Sequence, residues 1–244
     1  MSGGAPVVAA APGRVDIIVP VCNEADCVDE FCARMARLGY LDAVLFVDNA
    51  STDGTVDRLQ QYPAVRLIRH ATNEGYGASI RDGMAASQAE LIIIIDADLE
   101  YPPESVSAIV SALERHAVVY GSRFLGARPP DMPLLRRVGN RLISAVYNVL
   151  FRQRTTDLYT GMKGLRRAAL PLSRLRQNGF EHVVELGVMV ALAGEQIHDV
   201  PITYVPRSRG RSKMRHVPET IKFAAYLAGY WLRDVVWRRW GDRN

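Results

Sequence analysis

The chain has 244 residues, of which 48% are hydrophobic and 23% are charged, and its formal net charge is +4. This length and composition allow one domain, or at most two, and exclude a mainly disordered or mainly membrane-embedded chain. The positive charge suits a nucleic acid, an anionic membrane surface or a phosphorylated substrate. We therefore expect one folded domain with an appended tail.

The N-terminus and the cysteines indicate the cellular setting. Residues 1–14 lack the basic start and continuous apolar run of a secretory signal, so a flexible N-terminal tail is predicted there. Cys22, Cys27 and Cys32 lie five residues apart, which matches neither a zinc pair nor a disulfide framework. The apolar run 223–232 is shorter than the ~18 residues that a membrane span needs. A reducing, cytoplasmic location without a membrane span is the prediction.

The first half of the chain alternates between apolar runs and segments of helical period. Strands are predicted at 15–19, 43–47, 65–68, 91–95 and 118–120. Helices are predicted at 28–38, 53–59, 78–87 and from 102 to about 115. This alternation predicts an α/β fold, in which a mostly parallel sheet is covered by helices on both faces.

The second half is less regular. It contains predicted helices at 134–151 and 182–193, a strand at 197–204 and a loop around 157–161. A basic loop and a last helix follow. No repeat or linker separates the two halves, so both are expected to belong to one domain.

Polar residues follow three of the predicted strands, where ligands bind in sheets of this kind. They are Pro20, Asn23 and Glu24, then Asp48, Asn49 and Asp53, and then Asp96, Asp98 and Glu100. Any one of them could simply cap a helix or form a turn. Three clusters at one edge of the sheet indicate a binding site.

Asp96, Asp98 and Glu100 alternate after an aliphatic run. In an extended segment their carboxylates would share one face. Mg²⁺ and Mn²⁺ take oxygen ligands and leave places for substrate phosphates. We therefore predict a cation site that also holds a nucleotide diphosphate.

The glycine-rich segment 73–78 precedes a predicted helix. Its backbone could cradle a phosphate or only turn the chain. It is not a dinucleotide fingerprint, because Ile80 stands where the third glycine would be. A nicotinamide dehydrogenase is therefore disfavoured.

These motifs occur in a characteristic order, at 20–24, 47–55, 73–77, 96–99, 102–104 and 121–123. In that order they resemble the family 2 glycosyltransferases of the GT-A fold, and within that family most resemble the dolichol-phosphate mannose synthase group. The similarity runs from about residue 15 to 214. It implies a nucleotide half at about 15–123 and an acceptor half at about 124–214.

The resemblance implies roles for individual residues. A nucleotide site would comprise Pro20, Cys22, Glu24, Asp48, Asn49, Gly75, Asp96 and Ala97. A site for Mg²⁺ or Mn²⁺ would comprise Asp96, Asp98 and Glu100. Two departures stand out, because Cys22 replaces a frequent Tyr and Glu100 replaces a frequent Gln.

Basic residues in the second half follow the order of the same group. An acceptor phosphate would be contacted by Arg123, Arg136, Asn140 and Arg207, and catalysis would involve Asp96, Asp98, Asp157, Arg207 and Lys213. A phosphate acceptor is already an anion at neutral pH and needs no general base, whereas a sugar hydroxyl does. Only Asp157 offers a carboxylate base, and it could equally brace its loop.

The last helix, at 215–244, contains Trp231, Trp237 and Trp240 together with several arginines. Such a helix can lie in a membrane interface, or pack on the catalytic domain or a partner. We expect a peripheral protein on the cytoplasmic face of a membrane. A membrane-protein partner or a homo-oligomer is possible, and no nucleic-acid motif accompanies the basic loop.

The predicted function is transfer of a hexosyl group, with inversion, from GDP-mannose or a UDP-sugar to a polyprenyl phosphate. The first alternative is the same fold acting on a soluble or polymeric hydroxyl acceptor, with Asp157 as base. The second is a nucleotide-binding module without turnover, which the intact Asp96 and Asp98 disfavour.

Overall fold

The computed structural model describes residues 14–126, 132–206 and 222–233. Its sheet has seven strands in the order β3-β2-β1-β4-β6-β5-β7. The strands are β1 Val15–Val21, β2 Val44–Asp48, β3 Arg66–Arg69, β4 Leu91–Ile94, β5 Val118–Ser122, β6 Lys163–Arg166 and β7 Ile197–Pro201. The α-helices within these ranges are α1 Ala25–Arg37, α2 Thr55–Leu59, α3 Tyr76–Ala86, α4 Val106–Leu113, α5 Leu134–Phe151, α6 His182–Leu192 and α7 at residues 222–233.

The predicted α/β architecture is confirmed. β1 pairs in parallel with β2 and β4, β2 with β3, and β5 with β7. β4 is a continuous aliphatic run, and β1 is apolar except for Asp16, because both faces of these strands are covered. The predicted strand at 197–204 is shorter than expected and ends at Pro201.

β6 was not predicted. It lies antiparallel between β4 and β5, and its sequence Lys-Gly-Leu-Arg carries no strand-like alternation. Two neighbouring strand edges supply its hydrogen bonds, so tertiary pairing outweighs the weak local preference. In this register Lys163 lies opposite Ile94, near the end of β4.

The sheet separates two apolar cores. Ile17 and Val19 of β1 face the core shared with α1 and α4, whereas Ile18 faces the core shared with α3, α5 and α6. This alternation follows from the period of two along a strand. The two predicted halves therefore contribute strands to one sheet.

The C-terminal residues that the structure describes pack on this second core. Phe223 and Leu227 of α7 are fully buried there, and Trp231 is partly buried against it. In the described part of the chain, none of the helices has the length and apolar character that a bilayer span requires. Residues 1–13 of the predicted tail, the basic loop with Arg207 and Lys213, and Trp237 and Trp240 lie outside the described residues.

Candidate active site

A cleft of about 320 Å³ opens at the carboxyl ends of the parallel strands. It lies where the strand order changes direction between β1 and β4, which is the expected position for a ligand. The predicted site residues that line it are Pro20, Cys22, Glu24, Asn49, Gly75, Asp96, Ala97, Asp98, Glu100, Arg123 and Arg136. Most of the residues predicted from separate segments are thus brought together.

The loop before α3 is tied to the end of β2 through Asn49. Nδ2 of Asn49 donates a hydrogen bond to Oδ1 of Asn73 at 3.0 Å, and Oδ1 of Asn49 accepts one from the backbone N–H of Glu74 at 2.8 Å. Gly75 has φ of 101°, and a Cβ at this position would lie 2.3 Å from the carbonyl oxygen of Asn178. Only glycine fits this turn, which places its backbone against the cleft.

Two predicted nucleotide residues, Asp48 and Cys22, differ in their position relative to the cleft. Asp48 is 1% exposed, is not among the residues lining the cleft, and accepts the backbone N–H of Ser51. It braces the turn after β2. Cys22 lines the cleft, with its Sγ 3.8 Å from Nδ2 of Asn73.

The three carboxylates after β4 lie on a turn. The strand ends at Ile94, and Leu99 has φ of 63°, so the expected extended segment is wrong. Asp96, Asp98 and Glu100 all line the cleft nevertheless. In the ranges that the structure describes, they do not place one oxygen each within 4.8 Å of the others.

Glu100 is directed to a different partner. Its Oε2 lies 3.9 Å from Nη2 of Arg136, and it interacts with the hydroxyl of Tyr204. Asp96 and Asp98 therefore remain as the candidate ligands, and their oxygens are the hard ligands that Mg²⁺ and Mn²⁺ take. One or two carboxylates are the usual number for such an ion bound beside phosphates.

Asp96, whose side chain is half-buried, carries a charge that its surroundings only partly balance. Burial and, next to it, the Asp98 carboxylate raise its pKa to about 7, against the opposing effects of Lys163 and of a 3.1 Å hydrogen bond from the hydroxyl of Tyr76. A bound cation would favour the ionised form of this carboxyl. This balance of charge fits the predicted cation site.

Lys163 is a buried cation beside this site that the sequence analysis missed. It is 2% exposed, and its ammonium donates to the carbonyl of Thr160. Burial lowers the pKa of Lys163 to about 8, whereas Asp96 and Asp157 act to raise it. No local pattern marks this residue, because the position depends on the unexpected strand β6.

Gly161 allows the close packing around Asp96. A Cβ on Gly161 would lie 2.4 Å from Oδ2 of Asp96 and 2.7 Å from the ring of Tyr101. The predicted loop at 157–161 therefore reaches the carboxylate through backbone alone. A side chain here would have to displace the carboxylate.

Arg123 and Asp157 form a buried ion pair. Their side chains are 2% and 0% exposed, and the guanidinium donates to both carboxylate oxygens at 2.7 and 2.8 Å. The backbone N–H of Arg123 adds a third bond at 3.1 Å. Burial acts to lower the pKa of Arg123, but the Asp157 carboxylate raises it above its usual value. Such bidentate bonding positions Arg123 and occupies Asp157.

The other predicted acceptor residues are distributed unevenly. Arg136 lines the cleft from α5, and its Nη1 lies 3.5 Å from the hydroxyl of Tyr204. Asn140, one turn further along, is not among the lining residues, and its carbonyl accepts from Ser144. The cleft also contains aromatic side chains that were not predicted, namely Tyr76, Tyr101, Tyr159, Phe180 and Phe223.

Comparison with known sequences agrees with this arrangement. The sequence profile of Glycosyl transferase family 2 matches residues 16–171. Undecaprenyl-phosphate mannosyltransferase from Micrococcus luteus is 29% identical over 82% of the chain and 87% of its own length. Dolichol-phosphate mannosyltransferase from Saccharomyces cerevisiae is 29% identical, with 81% and 80% covered. Glycosyltransferase AglJ from Haloferax volcanii is also 29% identical, but the chain spans only 65% of its length.

Solved structures share the fold. Glucosyl-3-phosphoglycerate synthase from Mycobacterium tuberculosis, in complex with uridine-diphosphate, has a TM-score of 0.72 at 18% identity and matches 95% of this chain and 86% of its own. Mannosyl-3-phosphoglycerate synthase from Rubrobacter xylanophilus has a TM-score of 0.66 at 15% identity, with 94% and 75% covered. The resemblance predicted from the ordered motifs is confirmed. The chain belongs to glycosyl transferase family 2, and it is a glycosyltransferase of the GT-A fold.

Proposed function

We propose that the protein transfers a hexosyl group from a nucleotide sugar, GDP-mannose or a UDP-sugar, to a polyprenyl phosphate. The observation that carries this proposal is that carboxylates and guanidinium groups line one cleft. We assign Asp96 and Asp98 to a donor end, and Arg136, with the Asp157-paired Arg123, to an acceptor end. Carboxylates suit a cation with a diphosphate, and guanidinium groups suit an anionic acceptor.

The donor end is formed by the residues after β1, β2 and β4. Pro20, Glu24 and Asn49 line the part of the cleft proposed for the nucleoside. Asp48 contributes indirectly, because its carboxylate holds the turn after β2 in place. Asp96 and Asp98 would hold Mg²⁺ or Mn²⁺, which supplies positive charge for the departing diphosphate. The structure of glucosyl-3-phosphoglycerate synthase, which shares the fold, contains Mn²⁺, uridine-diphosphate and phosphoglyceric acid, which supports this assignment.

The acceptor end supports a reaction without a general base. Both oxygens of Asp157 are bonded to Arg123, so this carboxylate positions the guanidinium. A phosphate oxygen would attack the anomeric carbon while the bond from that carbon to the diphosphate breaks, with inversion. The nucleoside diphosphate leaves with the electron pair, and no proton needs to move. The alternative with a hydroxyl acceptor and Asp157 as base is thereby disfavoured.

A membrane surface is proposed as the place of the reaction. α5 carries an exposed apolar stripe with Leu135, Val138, Leu142 and Val149, each more than half exposed. Arg136 on the same helix lines the cleft. An apolar face beside arginines is what an interfacial helix requires. The names of the relatives, which act on undecaprenyl phosphate or dolichol phosphate, support the same location.

The test is incubation of the purified protein with a labelled nucleotide sugar, Mn²⁺ and anionic vesicles that contain polyprenyl phosphate. We expect labelled lipid that is lost on chelation, and protein that sediments with the vesicles. Transfer to a sugar hydroxyl with no labelled polyprenyl phosphate would contradict the proposal. Nucleotide binding without any transfer would favour the non-catalytic module.

A further inference from the structure

A second group of metal-ligand side chains lies outside the cleft, between the end of β3 and α3. It consists of His70, Glu74 and Asp82, and one ligand atom of each lies within 4.8 Å of the other two. We propose that these three side chains bind a divalent transition-metal ion. This site is separate from Asp96 and Asp98, and its argument does not depend on the transferase reaction.

The tautomer of His70 is determined by Asn49. Oδ1 of Asn49 accepts the backbone N–H of Glu74 at 2.8 Å, which identifies that atom as the amide oxygen, and it also lies 3.2 Å from Nδ1 of His70. An amide oxygen only accepts hydrogen bonds, so Nδ1 carries the hydrogen. The Nε2 atom of neutral His70 therefore presents a lone pair.

That lone pair faces another acceptor. Nε2 of His70 lies 2.9 Å from Oδ2 of Asp82, and the His70 side chain is only 6% exposed. Two hydrogen-bond acceptors at this distance repel each other unless a proton or a metal ion lies between them. Nitrogen and oxygen ligands of one ion lie about 2.0–2.2 Å from it, so a separation of roughly 3 Å suits two adjacent ligands.

The local charge favours a divalent ion over a proton. In the described ranges, neither Glu74 nor Asp82 has an ion pair with Lys or Arg. Arg81, next to Asp82, donates instead to the carbonyls of Arg176 and Gln177. A proton on His70 would bridge only to Asp82 and leave one net negative charge, whereas a divalent ion balances both carboxylates.

The mixed ligand set indicates the class of metal. One imidazole nitrogen with two carboxylates suits Zn²⁺, Co²⁺, Ni²⁺ or Mn²⁺ better than Mg²⁺ or Ca²⁺. Asn49 is then the outer partner that orients the liganding histidine. Because Asn49 also lines the cleft, an ion at His70 would hold the loop before α3 in place.

The test is calorimetric titration of the full chain with Zn²⁺, carried out in an Asp98→Asn background to weaken the cleft cation site. We expect one equivalent to bind, and Asp82→Asn or Glu74→Gln to weaken binding by at least ~10-fold. Asp57→Asn, on α2, is the matched carboxylate control. His198→Ala is the second control, because His198 stacks on His116 at the surface and could bind Zn²⁺ itself.

A second measurement separates the metal from a proton bridge. Nitrogen NMR of the histidine rings should show Nε2 of His70 without a bound hydrogen when Zn²⁺ is present. An Nε2–H signal that persists in excess Zn²⁺ would overturn the proposal. Zn²⁺ binding that is unchanged by both Asp82→Asn and Glu74→Gln, or absent altogether, would overturn it as well.

Discussion

The proposed donor and acceptor ends of the cleft differ in how their charges are balanced. At the acceptor end, Arg123 and Asp157 are almost fully buried and neutralise each other through two side-chain hydrogen bonds. At the donor end, burial and the Asp98 carboxylate raise the pKa of Asp96 to about 7, and Asp96 accepts a hydrogen bond from the neutral hydroxyl of Tyr76. The first arrangement is complete within the protein, and the second gains from a ligand.

This difference separates residues that hold the site from residues that bind substrate. Breaking a buried ion pair leaves an uncompensated charge and costs ~3–5 kcal/mol. Replacing a partly protonated carboxyl should cost little stability. The main loss should be the binding of the ligand that the carboxylate holds. Stability and activity should therefore respond in opposite ways at the two ends.

Asp96→Asn should have the largest effect on activity. We expect kcat/KM to fall by roughly 10³-fold, because the diphosphate loses the charge that a bound cation supplies. The free energy of unfolding should stay the same or rise, since the raised pKa of Asp96 means that this carboxyl destabilises the folded state at pH 7. Steady-state kinetics and urea unfolding measure the two quantities. The exposed Asp26→Asn should change neither, and wild-type kcat/KM in Asp96→Asn would contradict the assignment.

Asp157→Asn should show the reverse pattern. The free energy of unfolding should drop by about 3 kcal/mol, because Arg123 is left buried without its partner. Turnover at a temperature where the variant is folded should stay within ~10-fold of wild type, as expected of a residue that does not transfer a proton. Urea unfolding measures the change in stability, and a turnover assay at roughly 15–20 °C measures the change in activity. A complete loss of turnover with unchanged stability would instead identify Asp157 as a base.

His182 should make the protein sensitive to acid. It is 1% exposed, neither ring nitrogen has a hydrogen-bond partner in the described residues, and burial, with Lys163 and Arg81 nearby, lowers its pKa to about 3. Since the folded pKa lies below the unfolded value of ~6.5, stability is full above pH 6.5 and falls as the pH drops toward 3. The loss at pH 5 should be about 2 kcal/mol.

The matching experiment compares urea unfolding at pH 8 and pH 5 for wild type and His182→Leu. Asp96 acts in the opposite sense, because its folded pKa is raised, so only the difference between the two proteins isolates His182. The variant should lose less stability on acidification than wild type. Equal losses in both proteins would show that His182 is not the titrating group.

Arg136→Ala should have the smallest effect. Its guanidinium is loosely held, at 3.9 Å from Glu100 and 3.5 Å from Tyr204, so it is free to reorient toward a phosphate. We expect KM for polyprenyl phosphate to rise about 10-fold, or ~1.4 kcal/mol, with little change in the KM for the nucleotide sugar. Arg136→Lys should recover part of the loss. The exposed Arg154→Ala serves as control, and an equal rise in both KM values would argue against an acceptor role.

Local pattern was sufficient for the strand-helix alternation. The predicted helix at 134–151 coincides with α5. The predicted strands at 43–47 and 65–68 are shifted by one residue from β2 and β3, and the predicted strand at 91–95 extends one residue beyond β4. Apolar periodicity and uninterrupted aliphatic runs are properties of neighbouring residues, so they can be read without knowing the fold. The polar residues at the strand ends could be located for the same reason.

Pairing between distant segments was not accessible in this way. β6 is a strand only because β4 and β5 offer it free edges, and it carries Lys163 to the neighbourhood of Asp96. Arg123 and Asp157 are 34 residues apart in the chain, yet they form the ion pair that decides what each can do. A sequence lists both side chains, but their mutual distance depends on the sheet order.

The sequence by itself determined the α/β alternation, the family and the edge of the sheet at which the acidic and basic residues gather, because these follow from short-range periodicity and motif order. The tertiary structure decided which charges are balanced. Burial and partner distance set the state of Asp96, commit Asp157 to Arg123, and align the lone pair of His70 with Asp82. These properties depend on contacts between segments that are remote in the sequence, and such contacts exist only after the sheet has assembled.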